Sequence, residues 1–242
     1  GIRDTSVTGV QTCALPIYKR KKYDCILGLS GGIDSSYMLH YAVTKLKLRP
    51  LVFHVDGGWN SDISVSNIKF LISKLNLDLF TEVINWEEMR KFQLAFFKAG
   101  VPHIDIPQDH AFISTLYNFA NKNGIKWILN GGNISTECIR NPLKFFYYGT
   151  DIKHLNFIRK NFGAYHMPTY PFSSILRHKL WLRYIKRVRV LKVLDYVEYN
   201  KSDALDELVK IYGWKPYPRK HFESRFTRSE EHTSELQSPM YL

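Results

Sequence analysis

The 242-residue chain has few cysteines and no long apolar run, and both absences restrict what it can be. Its three cysteines are Cys13, Cys25 and Cys138, and no two of them form a CxxC pair, so the spacing typical of a zinc site or a disulfide framework is missing. No run of about 18 consecutive apolar residues occurs, so the sequence predicts no membrane-spanning helix. We therefore expect a protein of the reducing cytoplasm.

Acidic residues are also scarce relative to basic ones. The chain has 34 Lys and Arg against 22 Asp and Glu, which gives a formal net charge of +12. Such an excess attracts anions in general, and it is compatible with nucleotides, acidic sugars or nucleic acid as ligands. The charge alone does not choose among these ligands.

Two segments at opposite ends of the chain do not resemble natural protein sequence. Val7–Ile17 (VTGVQTCALPI) can be encoded by the strand complementary to one that encodes Arg228–Ser238 (RSEEHTSELQS). This relation is typical of a translated sequencing adapter, and we expect residues 1–17 and 228–242 to be adapter-derived artefacts. The natural segment is then about 18–227, truncated at both ends.

Short apolar runs alternate with segments of helical periodicity in the first 130 residues. Strands are predicted at Tyr23–Leu29, Leu51–Val55, Leu79–Ile84 and Trp127–Asn130, and helices at Ser35–Leu46, from Ser64 onward, at Trp86–Lys98 and from Asp109 to Asn121. The proline-bounded stretch 101–108 is predicted to be a loop, with Asp109 as the cap of the helix that follows. This alternation predicts an α/β fold with a mostly parallel sheet.

Polar turns follow three of the predicted strands. They are Ser30–Ser36, Asp56–Asn60 and Gly131–Glu137. Because ligands of parallel sheets bind at the carboxyl ends of the strands, we expect these turns to form one site on one edge of the sheet.

The pattern changes after about Thr150. Residues 165–175 are rich in Pro, Tyr and Ser and predict a loop, and the basic run Arg177–Lys192 has apolar residues at helical spacing. A last helix is predicted from a Ser202 cap to Tyr212, ended by Gly213. We expect a domain at 18–164 followed by a basic, mostly helical, incomplete substrate segment at 165–227.

The turn after the first strand reads Ser30-Gly31-Gly32-Ile33-Asp34-Ser35-Ser36. A glycine-rich turn between a strand and a helix can hold a phosphate through backbone N–H groups. The turn lacks the GK[ST] of a Walker A loop and the GxGxxG of a dinucleotide-binding fold. An ordinary glycine turn is the simplest alternative.

The turn resembles the PP-loop signature, SGGxDS, of the ATP pyrophosphatases. The resemblance implies an adenine nucleotide alpha-hydrolase-like, Rossmann-like domain that cleaves ATP between the α- and β-phosphates. It implies that the following residues bind the nucleotide: Ser30, Gly31, Gly32, Asp34, Ser35, Ser36, His54 and Asp56. Gly131 and Gly132 join them in this prediction because two glycines after the fourth strand let a ligand lie against the backbone. Asp34 would also be catalytic and would orient the loop or a Mg²⁺ ion.

A narrower resemblance rests on four segments together: SGGIDSS, PQDHAFISTLYNFA, NGGNISTE and the late YPRKHFESRFTR. Together they are similar to the N-acetyl sugar amidotransferases of bacterial surface-polysaccharide and nonulosonic acid pathways. The family is understood to convert an acetamido group into an acetamidino group, with ATP adenylating the amide oxygen and ammonia arriving from a separate glutaminase subunit. Lys220 and Arg225 would then be catalytic, and His221 and Glu223 of the same polar cluster would bind the N-acetyl sugar or sugar nucleotide. Asn133 and Glu137 are also predicted to bind it, because they lie next to the glycine pair after the fourth strand.

Simpler interpretations remain for several residues. Asp56 is a common turn former at a strand end, Asp109 is explained by a helix cap, and His110 by a surface or hydrogen-bonded histidine. The 177–192 run is compatible with a solvated helix, a site for an anionic sugar nucleotide or an RNA-binding surface.

Two other functions also remain open. One is a tRNA-modifying PP-loop enzyme, favoured by the basic charge, although the lack of paired cysteines disfavours its thiolating versions. The other is an adenine-nucleotide-binding module without catalysis.

Overall fold

The computed structural model describes residues 22–101, 103–133 and 151–218. A five-stranded sheet lies at its centre. The strands are β1 (Cys25–Gly28), β2 (Pro50–Asp56), β3 (Leu79–Val83), β4 (Trp127–Leu129) and β5 (Arg189–Leu191), in the spatial order β3-β2-β1-β4-β5. Every neighbouring pair is parallel. The prediction of an α/β fold with a parallel sheet is therefore confirmed.

Six α-helices accompany the sheet within these ranges. They are α1 (Ile33–Thr44), α2 (Asp62–Leu75), α3 (Trp86–Ala99), α4 (Ile106–Lys122), α5 (Ile152–Asn161) and α6 (Lys201–Tyr212). A π-helix spans Arg177–Ile185, and a 3₁₀ turn spans Val193–Tyr196. The part after residue 164 is thus mostly helical, as expected, and it also contributes β5 to the sheet.

Hydrophobic cores lie on both faces of the sheet. Ile26 and Phe53 face the core formed with α3, α4 and α5, whereas Cys25, Leu27 and Val52 face the core formed with α1, α2 and α6. Successive strand residues point to opposite faces, so a strand that is buried on both sides is apolar at nearly every position. This explains why β1 and β2 are continuous apolar runs rather than alternating ones.

Three local predictions are wrong. Helix α4 begins at Ile106 rather than at an Asp109 cap, because Pro107 lies in its first turn, where a missing N–H costs nothing. Asn200, not Ser202, caps α6, and its side chain accepts the Ser202 N–H at 2.9 Å. The helix predicted over Arg177–Lys192 ends at Ile185, and Arg189–Leu191, in the rest of that run, form β5 instead.

No helix in the described ranges is both long enough and apolar enough to span a membrane.

The two faces of α3 provide a test of the core. Phe92 is fully buried against Phe96 and Tyr170, whereas Phe97 is 46% exposed. We expect Phe92→Ala to lower the free energy of unfolding by about 3–5 kcal/mol, because it leaves a cavity in the core. Phe97→Ala removes the same atoms from the surface of the same helix and is the control. Denaturant unfolding measures both, and equal losses would contradict this packing.

Candidate functional site

The strand order reverses direction between β1 and β4. From β1 the chain proceeds outward through β2 to β3, and then returns to the other side of β1 as β4. Parallel sheets bind ligands in the crevice that opens at such a point, at the carboxyl ends of the strands. The turn after β1, Ser30–Ser36, and the turn after β4, at Gly131–Asn133, border this crevice.

The Ser30–Ser36 turn is stabilised by its own hydroxyl groups. The Ser30 and Ser35 hydroxyls lie 3.0 Å apart, and the Ser30 hydroxyl accepts the Gly32 N–H at 3.3 Å. Gly31 has φ of +86°, and a Cβ there would lie 2.3 Å from the Ser64 hydroxyl of α2. That position therefore requires glycine both for its backbone angle and for the space available.

Helix α1, which begins inside this turn, has no side-chain cap. Its N-cap residue is Gly32, whereas Ser61, Asn85, Asp151 and Asn200 cap the starts of α2, α3, α5 and α6 with their side chains. The first N–H groups of a helix have no partner within the helix, and they carry a partial positive charge. The start of α1 is thus suited to an anion.

Residues from the last part of the described chain bind the back of this turn. The Tyr217 hydroxyl donates to the Gly31 carbonyl at 2.8 Å, and the Trp214 indole donates to the Ser36 hydroxyl at 3.3 Å. From α2, the Ser64 hydroxyl donates to the Ser30 carbonyl at 3.1 Å. These donors occupy two carbonyls and a hydroxyl of the turn, and the Gly32 N–H is bonded to the Ser30 hydroxyl, so the N–H groups left for a ligand are those of the first turn of α1.

Asp34, in the first turn of α1, is held by two residues distant in sequence. The Tyr199 hydroxyl donates a short hydrogen bond to Oδ1, and the Asn133 amide lies 3.5 Å from the same oxygen. Burial, together with the hydrogen bond to Asp34 and its charge, raises the pKa of Tyr199. Tyr199 therefore remains a donor, and both contacts fix the orientation of the carboxylate.

Gly131 brings the turn after β4 against the start of α1. A Cβ at Gly131 would lie 2.8 Å from the Asp34 carbonyl carbon and from the Ser35 nitrogen, and these are backbone atoms that cannot rotate away. The next residue, Gly132, donates its N–H to the Asn130 side chain at 2.7 Å. The predicted meeting of these two turns on one edge of the sheet is therefore confirmed.

The turn after β2 is also tied to this edge. His54 Nδ1 lies 2.7 Å from the Leu29 carbonyl, and its Nε2 lies 3.0 Å from the Asn60 amide nitrogen. Asp56 accepts the Gly58 N–H and the Asn60 amide through the same oxygen. His54 therefore joins the ends of β1 and β2, and Asp56 forms the turn that places Asn60.

A cavity of about 410 Å³ opens between these strand ends and α4. Ser30, His54 and Asn60 line it on the strand side, and Asp105, Gln108 and Asp109 line it at the start of α4. The Gln108 side-chain oxygen is buried and has no hydrogen-bond partner among the residues described. The Asp109 carboxyl borders the cavity, and desolvation by the surrounding protein, with the nearby Asp105 charge, raises its pKa to about 7.

The structure brings most of the predicted nucleotide-binding residues together. Ser36 differs, because its hydroxyl is buried against Trp214 and its N–H donates to the Gly32 carbonyl at 3.0 Å. Asn133, predicted to bind substrate, is buried beside Asp34. The predicted residues Glu137, Lys220, His221, Glu223 and Arg225 lie outside the described residues.

Sequence reasoning missed Tyr199, Trp214 and Tyr217, and it treated Asp109 as a cap and His110 as a satisfied or surface residue. His110 is buried, and its Nε2 accepts the Ser173 N–H at 3.1 Å. Burial, with the nearby His178, lowers the pKa of His110 to about 4. Periodicity predicted the helix itself, but the only signal that α4 borders the site was the segment PQDHAFISTLYNFA, and the resemblance that used it assigned its residues no role.

No group of three or more His, Cys, Asp or Glu side chains suited to a metal ion occurs in the part of the chain that the structure describes. Mg²⁺ at nucleotide sites commonly uses one or two carboxylates, together with substrate phosphates and water. A single oriented carboxylate at Asp34, beside the uncapped start of α1, fits that requirement.

No protein-family model matches the chain, and a search of curated proteins finds no match. Among solved structures it is similar to the NMN synthetase of Francisella tularensis, with 15% identity, 95% of this chain and 92% of that chain covered, and a TM-score of 0.42. It is similar to a U34-tRNA thiolase of Methanococcus maripaludis, with 14% identity, 98% of this chain and 74% of that chain covered, and a TM-score of 0.49. It is also similar to the NH3-dependent NAD synthetase of Campylobacter jejuni, with 15% identity, 85% of this chain and 81% of that chain covered, and a TM-score of 0.40. At these values the likeness carries no inference about activity.

Proposed function

We propose that this chain is a PP-loop ATP pyrophosphatase that activates the acetamido group of an N-acetyl sugar for amidation. The observation that carries the proposal is the uncapped start of α1, in a serine- and glycine-containing turn at the switch point of a parallel sheet, beside a cavity of about 410 Å³. Anion binding at a helix N-terminus supports the phosphate end of such a site.

The cavity supports the position of the adenosine. Its walls offer acceptors rather than cations at the start of α4, where Gln108 and Asp109 suit the N–H groups of adenine and the hydroxyls of ribose. The Gln108 oxygen, buried without a described partner, gains a hydrogen bond if an adenine amino group donates to it. The phosphates then extend toward Ser30 and the start of α1.

Asp34 is the residue that we assign to Mg²⁺. Its described contacts, from Tyr199 and Asn133, both fall on Oδ1, so Oδ2 is the oxygen assigned to the ion. Bound there, Mg²⁺ would neutralise charge on the departing pyrophosphate. The N–H groups at the start of α1 stabilise the same charge from the protein side.

The proposed chemistry has two steps. The acetamido oxygen attacks the α-phosphorus of ATP and the bond to the β-phosphate oxygen breaks, which gives an O-adenylated imidate and pyrophosphate. Ammonia, supplied by a separate glutaminase, then adds to the imidate carbon, and AMP leaves with the former amide oxygen. The sugar keeps an acetamidino group, and adenylation has converted a poor leaving group into a good one.

The first prediction from this proposal concerns Asp34 and its hydrogen-bond donor. We expect Asp34→Asn to lower AMP formation by about a hundredfold or more, because a charge aligned with the reaction is lost. Tyr199→Phe removes only the donor that orients this carboxylate, so we expect it to raise the Mg²⁺ concentration needed for half-maximal rate by about tenfold. Tyr196→Phe, at an exposed tyrosine three residues earlier, is the control. Unchanged rates in Asp34→Asn would contradict the assigned site.

The second prediction concerns the acceptor. With ATP, Mg²⁺ and ammonium, we expect AMP to form only when a UDP-N-acetyl sugar or an N-acetylated nonulosonate is present. If the acetamido oxygen carries a heavy isotope, the isotope should appear in the AMP, because that oxygen leaves with the phosphorus. Mass spectrometry of AMP and of the sugar measures both products.

The same assay with tRNA tests the alternative enzyme class. The basic charge of the chain favours nucleic acid to some degree. AMP formation with tRNA alone would overturn the sugar as acceptor. ATP binding without AMP formation in the presence of every acceptor would favour a nucleotide-binding module.

A further inference from the structure

A second cavity, of about 630 Å³, lies between α4, the π-helix and the strands β4 and β5. Ile113 of α4 lines both this cavity and the one assigned to adenosine, so the two are neighbours. Its volume is within the range of small-molecule sites. None of its charged residues has a role in the ATP site described above.

The lining of this cavity, which we call the basic cavity, has one sign of charge. Lys179 and Arg183 line it from the π-helix, and Arg189 lines it from β5. None of the lining residues that the structure describes is acidic. A concave surface with charges of one sign concentrates its potential, so the basic cavity attracts anions.

The π-helical winding places these groups on one side. In an α-helix, with about 3.6 residues per turn, side chains five positions apart point about 140° away from each other. In a π-helix the hydrogen bonds join residues five apart, as the Lys186 N–H does with the Trp181 carbonyl at 3.0 Å. His178 and Arg183 therefore share one side of the helix, and Lys179 shares it with Tyr184. All four line the basic cavity.

Aromatic rings lie among these cations. Tyr117 of α4 stacks on His178, with ring centroids 5.0 Å apart and an angle of 20° between the planes. Tyr184 is 67% exposed although it lines the cavity, so its ring is accessible to a ligand. Exposed aromatic rings beside arginines are typical of sites that stack a nucleobase and bind its phosphates.

His178 adds a buried polar group without a partner. Its Nε2 is shielded from solvent and has no hydrogen-bond partner in the ranges described. Burial, with the neighbouring Arg177 charge, lowers the pKa of His178. The neutral form of His178 is therefore favoured, which leaves Lys179, Arg183 and Arg189 as the charges of the basic cavity.

We propose that the basic cavity binds the nucleoside diphosphate part of a sugar-nucleotide acceptor. Three cations are enough to bind the two charges of a diphosphate, and the exposed ring of Tyr184 suits stacking on a base. The shared wall at Ile113 places the sugar end of such a ligand toward the ATP cavity. The assignment of this nucleotide to the acceptor rests on the proposed function. The binding of a nucleoside diphosphate in the basic cavity does not.

RNA is the alternative occupant, and the geometry favours it less. Single-stranded nucleic acid usually follows an extended groove with rings spaced along it. Here the cations line one cavity, and they come from two elements that meet there. A compact dianion with one base fits this arrangement better than a strand does.

Titration calorimetry of the full chain with UDP tests the proposal. We expect UDP to bind, and we expect the double variant Arg183→Gln with Arg189→Gln to weaken it by about tenfold or more, because two charged contacts are lost. The control is Lys69→Gln with Arg90→Gln, which removes the same charge from exposed positions on α2 and α3. Circular dichroism verifies that each variant folds.

Two further arms identify which part of the ligand is bound. Tyr184→Ala should weaken UDP but leave inorganic pyrophosphate unchanged, because only the base stacks. ATP affinity should not change in the arginine variant. If the wild type binds UDP but not ATP, that result contradicts the proposed function and not this site. The inference is overturned if UDP does not bind, if the control weakens it equally, if pyrophosphate binds as tightly as UDP, or if an RNA oligonucleotide binds this cavity in preference to UDP.

Discussion

The uncapped start of α1 is the constraint on which the rest of the site depends. Its first N–H groups have no partner in the helix and no capping side chain, and the helix starts at the carboxyl end of β1, where the strand order reverses. The surrounding contacts keep this arrangement in place. Ser64 and Tyr217 donate to the carbonyls of Ser30 and Gly31, which fixes the backbone of the turn that leads into α1. The protein thus maintains a local deficit of acceptors that an anion can satisfy.

This arrangement requires residues from both ends of the described chain. Helix α6 packs against α1, and Tyr199, Trp214 and Tyr217 reach the turn across 165 to 186 positions in sequence. The part after residue 164 is therefore not an appendage to a finished nucleotide-binding unit. It completes the sheet through β5 and fixes Asp34, so the same segment contributes both to the proposed phosphate site and to the basic cavity.

The sequence was sufficient for features with a local cause. Strands β1, β2 and β4 were predicted because buried parallel strands are continuous apolar runs, whereas β3, exposed along its length, was predicted from its place in the alternation of strands and helices. The meeting of the turns followed from the parallel sheet alone. β5 was missed because three residues, Arg189–Leu191, within a basic run give no strand signal, and only pairing with β4 determines them. Tyr199 and Tyr217 were missed for a related reason, since no local pattern identifies a hydroxyl whose partner lies more than 160 residues away.

The two cavities differ in charge, and this difference bears on how the two proposed anionic substrates would be kept apart. Asp105 and Asp109 line the first cavity, where a neutral adenosine is acceptable and a diphosphate is repelled. Arginines and a lysine line the second, which favours the diphosphate. Specificity of this kind depends on repulsion from the wrong site as well as on attraction to the right one. The starts of α1 and α4 both lack a side-chain cap, but the start of α4 carries Asp105 and Asp109, which repel anions. In the proposed complex the phosphates of ATP therefore lie at the start of α1, and the acceptor lies on the side of Ile113.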